Sequence, residues 1–228
     1  MKIKSTLALN FGVFLFLQSL AYRSLTVALK PVSPTVTASV TDIPPLIDVP
    51  TYSMATLNAA NDNNQLSHTN MNILTYATPV SVRPDRVWAI GLYKDTLSYK
   101  NFCRERSCIL QLLTEEHIPL IKLLGGSTGE TVNKEEECRK VGLGWDRLPT
   151  DADKQQDSRL PLVLPSCAYY LKLTAIGELI DCGSHEVAIC KVEEMLVGKE
   201  DESKKEYLST ARLRELGIIT EQGRVAEY

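Results

Sequence analysis

The chain of 228 residues is long enough for one domain with a substantial core, and too short for two such domains once a leader is subtracted. Its hydrophobic content of 44% and charged content of 23% are typical of soluble globular proteins, which excludes a disordered or multi-span membrane chain. A formal charge of -3 offers no basic field for a phosphate backbone, so we expect a small-molecule partner and no nucleic acid.

The first 21 residues have the layout of a signal peptide. Lys2 and Lys4 precede an apolar run over residues 7–20, and small residues follow where signal peptidase requires them. The run is shorter than the ~20 apolar residues that a membrane span needs. We therefore predict a signal peptide over residues 1–21 and no stable membrane span after its removal, with a retained anchor as the alternative.

Residues 22–67 are predicted to form a transit-like segment and a linker. The stretch from residue 22 to residue 40 contains Arg23 and Lys30, many Ser and Thr residues and no acidic residue. A signal peptide followed by this composition resembles the two-part leader of algae with secondary plastids. We expect plastid localisation, with a secreted protein as the alternative, and we place the functional domain at residues 68–228.

The first part of this domain predicts strands and one short helix. Two β-branched and aromatic runs, at residues 73–82 and 87–93, flank the breaker RPDR and predict a pair of strands. Residues 95–106 begin with Asp and Thr, which are good N-caps, and predict a short helix. The apolar run at residues 107–113 is typical of a buried strand.

Two further short helices are expected in the middle of the chain. Thr114 precedes a pair of glutamates, and that helix should end at Gly125 and Gly126. Asn133 with Glu136 resembles a capping box at the start of the second helix. Both helices are short enough to lie at the periphery of a sheet.

The strongest strand pattern comes late in the domain. Residues 160–197 predict two long strands that meet at Asp181, Gly183 and Ser184, and residues 207–219 predict a helix followed by a short strand. This order of elements predicts a mainly β fold with peripheral helices, arranged as a closed or nearly closed β-barrel.

Several kinds of site lack their defining residues. The sequence has no Gly-rich dinucleotide loop, P-loop, GxSxG or HExxH motif. The six cysteines contain no CxxC pair and the three histidines are far apart, so we predict no metal site. Free thiols are favoured, and disulfides are the alternative. The GGSTG sequence at residues 125–129 could cradle a phosphate or could be an ordinary turn.

Four segments, taken together in their order and spacing, resemble the flavin reductase-like family of FMN-binding split barrels. Each motif alone is weak, whereas the combination is fairly specific. The segments are NILTYATPVSVRP at Asn72 to Pro84, GLYKDTLSYKN at Gly91 to Asn101, PLIKLLGGSTGETVNK at Pro119 to Lys134, and GELIDCGSHEVAICKVEEM at Gly177 to Met195.

The resemblance implies that the TPVS segment lies along the isoalloxazine ring of FMN. Backbone groups of Thr78, Pro79, Val80 and Ser81 would face the polar edge of the ring. This fits the chemistry, because a flavin needs hydrogen-bond donors at N1, O2, N5 and O4 that tune its electron affinity. The alternative is an ordinary strand with a polar end.

The second and third segments are implied to lie near the FMN phosphate. In the KDTLSYK segment the candidates are Lys94, Thr96, Ser98 and Lys100, since hydroxyls and a helix N-terminus suit a dianion. The alternative is a simple N-cap. In the third segment Glu130 replaces an arginine of the family pattern, which leaves Lys134 as the candidate there.

The fourth segment places His185 as the catalytic candidate. Many members of the family have GDH where this chain has GSH, and the resemblance implies that His185 lies where a nicotinamide docks on the flavin. A turn residue is the alternative. The implied activity is that of an FMN-dependent NAD(P)H:flavin oxidoreductase, passing hydride from C4 of NAD(P)H to flavin N5, in a homodimer. A non-catalytic FMN-binding electron relay or an interaction module is the alternative.

Overall fold

The computed structural model describes residue 39 and residues 45–59, 67–148, 160–198 and 206–226. The predicted signal peptide at residues 1–21 lies outside these residues, as does nearly all of the transit-like segment up to residue 44. The described residues from Pro45 onward belong to one compact unit, which carries every element named below.

One antiparallel sheet of eight strands dominates this unit. The strands are β1 (Tyr52–Leu57), β2 (Thr69–Leu74), β3 (Ala77–Ser81), β4 (Val87–Tyr93), β5 (Ser107–Leu112), β6 (Tyr169–Ala175), β7 (Ile180–Cys182) and β8 (His185–Val197). Their order across the sheet is β2-β1-β5-β6-β8-β4-β3, and β7 pairs with the first residues of β8.

The sheet curls until its two ends come close together. Strands β2 and β3 occupy opposite ends of the strand order, yet only Thr75 and Tyr76 separate them in the chain. Three Cα–Cα steps of about 3.8 Å each span at most ~11 Å, so the end of β2 and the start of β3 cannot be farther apart than this. The predicted nearly closed barrel follows from this connection.

Short helices pack around the sheet. Thr96 caps α1 (Leu97–Glu105) by accepting a hydrogen bond from the backbone N–H of Tyr99. Asn133 caps α3 (Lys134–Lys140) by accepting one from the backbone N–H of Glu136. Both N-termini therefore begin where the capping residues predict. The helices are α1 (Leu97–Glu105), a 3₁₀ helix (Glu115–Leu120), α2 (Ile121–Gly126), α3 (Lys134–Lys140) and α4 (Thr210–Glu215).

Two hydrophobic clusters lie on opposite faces of the sheet. Neighbouring strand residues alternate between them, with Met54 and Leu110 in one cluster and Ala55 and Ile109 in the other. The first cluster also holds Phe102 of α1, whereas the second is covered by the 3₁₀ helix and by α2, α3 and α4. The helices are thus peripheral, as the sequence predicts, and each buries an apolar side against the sheet.

Strand β1 is the main element that the sequence analysis missed. The linker was predicted to continue to residue 67, but Tyr52–Leu57 pairs with β2 on one side and with β5 on the other. Its residues Tyr52 to Thr56 are all buried. The neighbouring Pro-rich and Asn-rich stretches obscured a run of only six residues, so the linker prediction is wrong for this strand.

The late strands differ in detail from the prediction. Strands β6 and β8 are long and pair with each other, but the turn at Gly183 and Ser184 joins β8 to the short β7 and not to β6. The predicted helix near the C-terminus is α4, and the chain beyond it makes a bridge between Ile219 and Val225. No disulfide forms among the cysteines, all six of which lie within the described ranges.

Candidate functional site

The outer edge of β3 is open. This strand pairs with β4 on one side, and no described strand pairs with its other side. Thr78, Pro79 and Val80 are exposed, and Ser81 is half-buried next to a register shift in the β3–β4 ladder. The four residues predicted to face a flavin ring therefore share one edge strand, whose backbone groups that point away from β4 have no strand partner among the described residues.

An aromatic cluster lies at the end of β4 next to this edge. The ring of His185 stands between Tyr76 and Tyr93, with ring centroids 5.4 Å and 5.2 Å away. The strand register sets this arrangement, because Tyr93 and His185 are opposite each other in the β4–β8 ladder. Tyr76 and Tyr93 are both exposed, and their rings are inclined to that of His185 by 68° and 41°, so the cluster presents ring edges and faces with polar tips to a ligand.

The orientation of His185 has a local cause. The hydroxyl oxygen of Ser184 lies 3.0 Å from Nδ1 of His185, within hydrogen-bond distance. Ser184 occupies the position of the acid in the GDH pattern, so a hydroxyl contacts the ring in place of a carboxylate. Nε2 is therefore left as the nitrogen that points away from the turn.

The start of α1 adjoins Tyr93. Thr96 donates its hydroxyl to the carbonyl oxygen of Tyr93 at 2.8 Å while accepting from the N–H of Tyr99 at 3.1 Å. Asp95 accepts a hydrogen bond from the Tyr93 hydroxyl at 3.0 Å, which raises the pKa of that phenol. The neutral hydroxyl of Tyr93 thereby holds the Asp95 carboxylate one position before Thr96, the N-cap of α1.

Two of the predicted lysines form surface ion pairs. Lys94 contacts Asp181 at 3.0 Å, and this hydrogen bond is the main cause of a lowered pKa for the aspartate. Lys100 contacts Glu130 at 2.8 Å, with both side chains largely exposed. Glu130, which stands where the family pattern has an arginine, also neutralises the charge of Lys100, one of the candidate phosphate ligands. Exposed pairs of this kind exchange readily with other partners, since each is worth only about 0–1 kcal/mol.

Ser98 and Lys134 are placed inside the protein and away from the open edge. Ser98 is buried and accepts a hydrogen bond from Nδ2 of Asn70 at 2.7 Å. Lys134 is only 4% exposed and donates to the carbonyl oxygens of Met71 and Leu124 at 3.0 Å and 2.8 Å. Burial lowers the pKa of Lys134 to about 8. These two side chains tie β2 to α1, α2 and α3.

Strand β4 brings the remaining candidates together. The residues of β3 pair with the first half of β4, His185 pairs with its last residue, and Lys94 and Thr96 follow directly after it. Sequence reasoning did not single out Tyr76 and Tyr93 as site residues. Tyr76 lies two positions before the TPVS motif, and Tyr93 directly precedes the KDTLSYK motif. This closeness to the two motifs was the signal that could have identified them.

The described residues show neither a metal site nor a helix that could cross a membrane. They contain no group of three or more His, Cys, Asp or Glu side chains arranged to hold a metal ion. Within the same ranges, none of the helices has the length and apolar character needed to cross a membrane. The candidate site is therefore the surface formed by the β3 edge, the Tyr76–His185–Tyr93 cluster and the start of α1.

Comparison with known families gives a match over most of the chain. Residues 53–216 match the family described as the flavin reductase like domain. The matched region begins inside β1 and ends just after α4, so it includes the strand that the sequence analysis assigned to a linker. No curated protein matches the chain.

Solved structures share the fold at low sequence identity. A flavin reductase from Haemophilus somnus is 16% identical, with a TM-score of 0.53 over 72% of this chain and 87% of that one. Flavoredoxin from Methanosarcina acetivorans is 10% identical, with a TM-score of 0.56 over 75% and 82%. An FMN-binding protein from Thermus thermophilus is 11% identical, with a TM-score of 0.52 over 72% and 81%. The predicted split barrel is confirmed by these likenesses.

Proposed function

Because this chain belongs to the flavin reductase-like domain family, we propose that it is an FMN-dependent NAD(P)H:flavin oxidoreductase. The observation that carries the proposal is the position of the Tyr76–His185–Tyr93 cluster beside the open edge of β3. A flavin ring needs backbone donors along its polar edge and a flat surface where a nicotinamide can stack. This surface offers unpaired backbone groups and exposed aromatic rings, any one of which can take a nicotinamide on its face, within one stretch of the sheet.

The residues of the site fit the flavin better at its ring than at its phosphate. The open β3 edge supplies unpaired backbone groups, and Pro79 stiffens the strand that carries them. At the phosphate end, Thr96 already serves as an N-cap and Ser98 is buried, so backbone N–H groups of the first turn of α1 are the remaining donors there. Lys94 stands next to that turn.

When bound, FMN would supply the redox chemistry, accepting hydride from C4 of NAD(P)H at its N5. The chain's own task is positioning and electrostatics. The β3 backbone orients the ring edge and can donate hydrogen bonds where negative charge develops. His185 and its two tyrosine neighbours orient the nicotinamide and keep water from that face. No acid–base triad is required for this chemistry.

A relay without useful turnover is the second candidate function. The observation in its favour is the Lys100–Glu130 ion pair, in which a carboxylate of the third segment holds a lysine that could otherwise contact a nucleotide. A related protein from Streptomyces globisporus is described as an NADH:FAD oxidoreductase, at 10% identity, which favours turnover as the first candidate. The two candidates differ in their response to a nicotinamide nucleotide.

The test uses the full chain, reconstituted with FMN and freed of excess flavin. We expect a yellow protein that absorbs near ~450 nm and bleaches promptly when NADPH or NADH is added under nitrogen. Colour without bleaching would favour the relay. A colourless protein that does not quench the fluorescence of added FMN would overturn both candidates.

We further propose a homodimer and plastid localisation. The open β3 edge supports pairing of two copies, because exposed strand edges are usually covered. Light scattering of the purified protein tests this, and a monomer contradicts it. Localisation rests on the composition of residues 1–40. A fusion of residues 1–50 to a fluorescent protein should enter the plastid, and secretion of the fusion would refute this proposal.

A further inference from the structure

The turn that precedes His185 extends beyond the end of the sheet. Strand β4 ends at Tyr93, which is the ladder partner of His185, and β7 ends at Cys182, which lies opposite His185 on its other side. Among the described residues, β8 is the only strand that pairs with β7. Gly183 and Ser184 therefore project past the strands, and contacts from elsewhere are needed to hold them in one position.

Asp181 makes such contacts in two directions. Its Oδ1 atom accepts a hydrogen bond from the backbone N–H of Gly183 at 2.8 Å, and its Oδ2 atom accepts one from Nζ of Lys94 at 3.0 Å. The backbone N–H of Lys94 also donates to the carbonyl oxygen of Ser184 at 3.1 Å. The carboxylate of Asp181 thus joins the turn to the segment between β4 and α1.

A second carboxylate lies on the other side of His185. Glu186 is opposite Asp181 in the β7–β8 ladder, where two like charges destabilise a strand pair. Oε2 of Glu186 accepts a hydrogen bond from the hydroxyl of Tyr99 in α1 at 2.9 Å, whereas Asp181 is held by Lys94. Each carboxylate therefore has its own donor after β4, and these donors offset the repulsion across the hairpin.

The position of the turn reaches the His185 ring through Ser184. The hydroxyl oxygen of Ser184 lies 3.0 Å from Nδ1 of His185, so a displaced turn would move the group that orients the ring. The ring contacts with Tyr76 and Tyr93 span 5.4 Å and 5.2 Å between centroids and are individually weak. The place of the ring therefore depends on the turn as well as on the two tyrosines.

We propose that Asp181 is a positioning residue, which holds His185 beside Tyr76 and Tyr93 by joining the β7–β8 turn to Lys94. This inference rests on the proposed function, because His185 is assigned there to the orientation of the nicotinamide. The side chain of Lys94 then supports the turn and does not bind the cofactor phosphate.

The first test uses the full chain without any cofactor. The chain contains three histidines, so the ring-proton resonances of His185 can be assigned in NMR spectra by their loss in His185→Ala. Asp181→Asn keeps an oxygen for the turn and removes the charge that faces the lysine. In this variant the His185 resonances should move toward the values of an unfolded chain, because the ring leaves the ring currents of its neighbours. The resonances of His68 and His117 should stay in place.

Glu115→Gln is the matched control. It removes another exposed ion pair between distant parts of the chain, in which Arg212 contacts Glu115 at 2.9 Å at the 3₁₀ helix. The His185 resonances should not change in this variant. If they also stay unchanged in Asp181→Asn, the proposal is overturned, whether or not the chain binds a flavin.

The second test measures kinetics in the chain loaded with FMN. Asp181→Asn should lower kcat/KM for NAD(P)H about 3- to 5-fold, the range expected for one exposed ion pair, and leave the dissociation constant of FMN unchanged. In the His185→Ala background the same substitution should cause no further loss, because its effect passes through that ring. Lys94→Met should match Asp181→Asn, and the two losses should not add.

Two kinetic results would contradict this role of Asp181. An equal loss in the His185→Ala background would mean that Asp181 acts by another route. If Lys94→Met weakens the binding of FMN and spares that of riboflavin, the lysine binds the phosphate and does not support the turn. If the wild-type chain binds no flavin, the proposed function fails, whereas the His185 resonances still decide whether Asp181 holds the ring.

Discussion

The backbone N–H of Gly91 donates to the carbonyl oxygen of Tyr76 at 2.7 Å, and a Cβ on Gly91 would lie only 3.0 Å from Cβ of Tyr76. Tyr76 therefore rests directly on the backbone of β4, at the point where the chain passes from β2 to β3. This contact sets the height of the Tyr76 ring above the sheet and so its distance from His185.

Gly91→Ala should displace Tyr76 from His185. The added methyl group would be tighter than an ordinary van der Waals contact, so we expect a loss of about 1–3 kcal/mol in the free energy of unfolding. Nicotinamide nucleotides should bind more weakly as well. Urea denaturation and steady-state kinetics measure the two effects. Gly144→Ala is the matched control, because its Cβ would lie 3.7 Å from the nearest atom, and a similar loss there would contradict this explanation.

His185→Ala should affect the nicotinamide more than the flavin. Removing the ring leaves Tyr76 and Tyr93 without the partner that both of them contact. We expect kcat/KM for NAD(P)H to fall about 10-fold or more, since stacking and orientation contribute a few kcal/mol at such sites. The dissociation constant of the flavin should change less than 3-fold on the same scale. His68→Ala, at an exposed histidine outside the cluster, should leave both values unaltered.

Thr96→Ala tests the capping role of this hydroxyl. Loss of the hydrogen bond from Tyr99 N–H should lower the free energy of unfolding by about 1 kcal/mol and Tm by about 2–4 °C. Thr96→Ser keeps the hydroxyl and should retain most of the stability. If Thr96→Ala weakens FMN binding without any change in Tm, the hydroxyl would serve the ligand and not the helix.

Lys134 should make stability depend on pH in the alkaline range. Burial lowers its pKa from 10.5 to about 8, so between these values the unfolded chain binds more protons at this residue than the folded protein does. The free energy of unfolding should therefore rise with pH across this window, by up to about 3 kcal/mol. Below pH 8 this destabilising effect of burial is fully present.

The measurement compares wild type with Lys134→Met. Other groups that titrate above pH 8 are common to both proteins, so the difference between the two denaturation series isolates Lys134. The wild type should gain stability relative to the variant from pH 8 to pH 10. A constant difference would mean that the hydrogen bonds to Met71 and Leu124 keep the amine charged throughout.

Local patterns were sufficient for much of the fold. The caps at Thr96 and Asn133 act within three residues, so the sequence predicts both helix starts correctly. The TPVS strand was recognisable through its motif and lies at an exposed edge. Strand β1 was missed because its stability comes from β2 and β5, which are distant in the chain, and not from its own six residues.

The parts of the site that depend on burial or on distant contacts could not be read from the sequence. Lysine is rarely buried, so nothing in the chain indicated that Lys134 donates to two internal carbonyl oxygens. Ser98 is similar, since its burial follows from the packing of α1 on β2.

The position of β1 also bears on how the protein folds during synthesis. The N–H of Val49 donates to Oγ1 of Thr210, 161 positions later, and Thr51 donates to the carbonyl oxygen of Leu208. The residues that lead into β1 are thus held by a segment that follows all eight strands in the chain. Contacts of such long range slow folding, because loop closure precedes any stabilisation. A nascent chain that stops before Leu208 already holds all eight strands and lacks only the segment that fastens the residues leading into β1, so the sheet can form before its first strand is anchored.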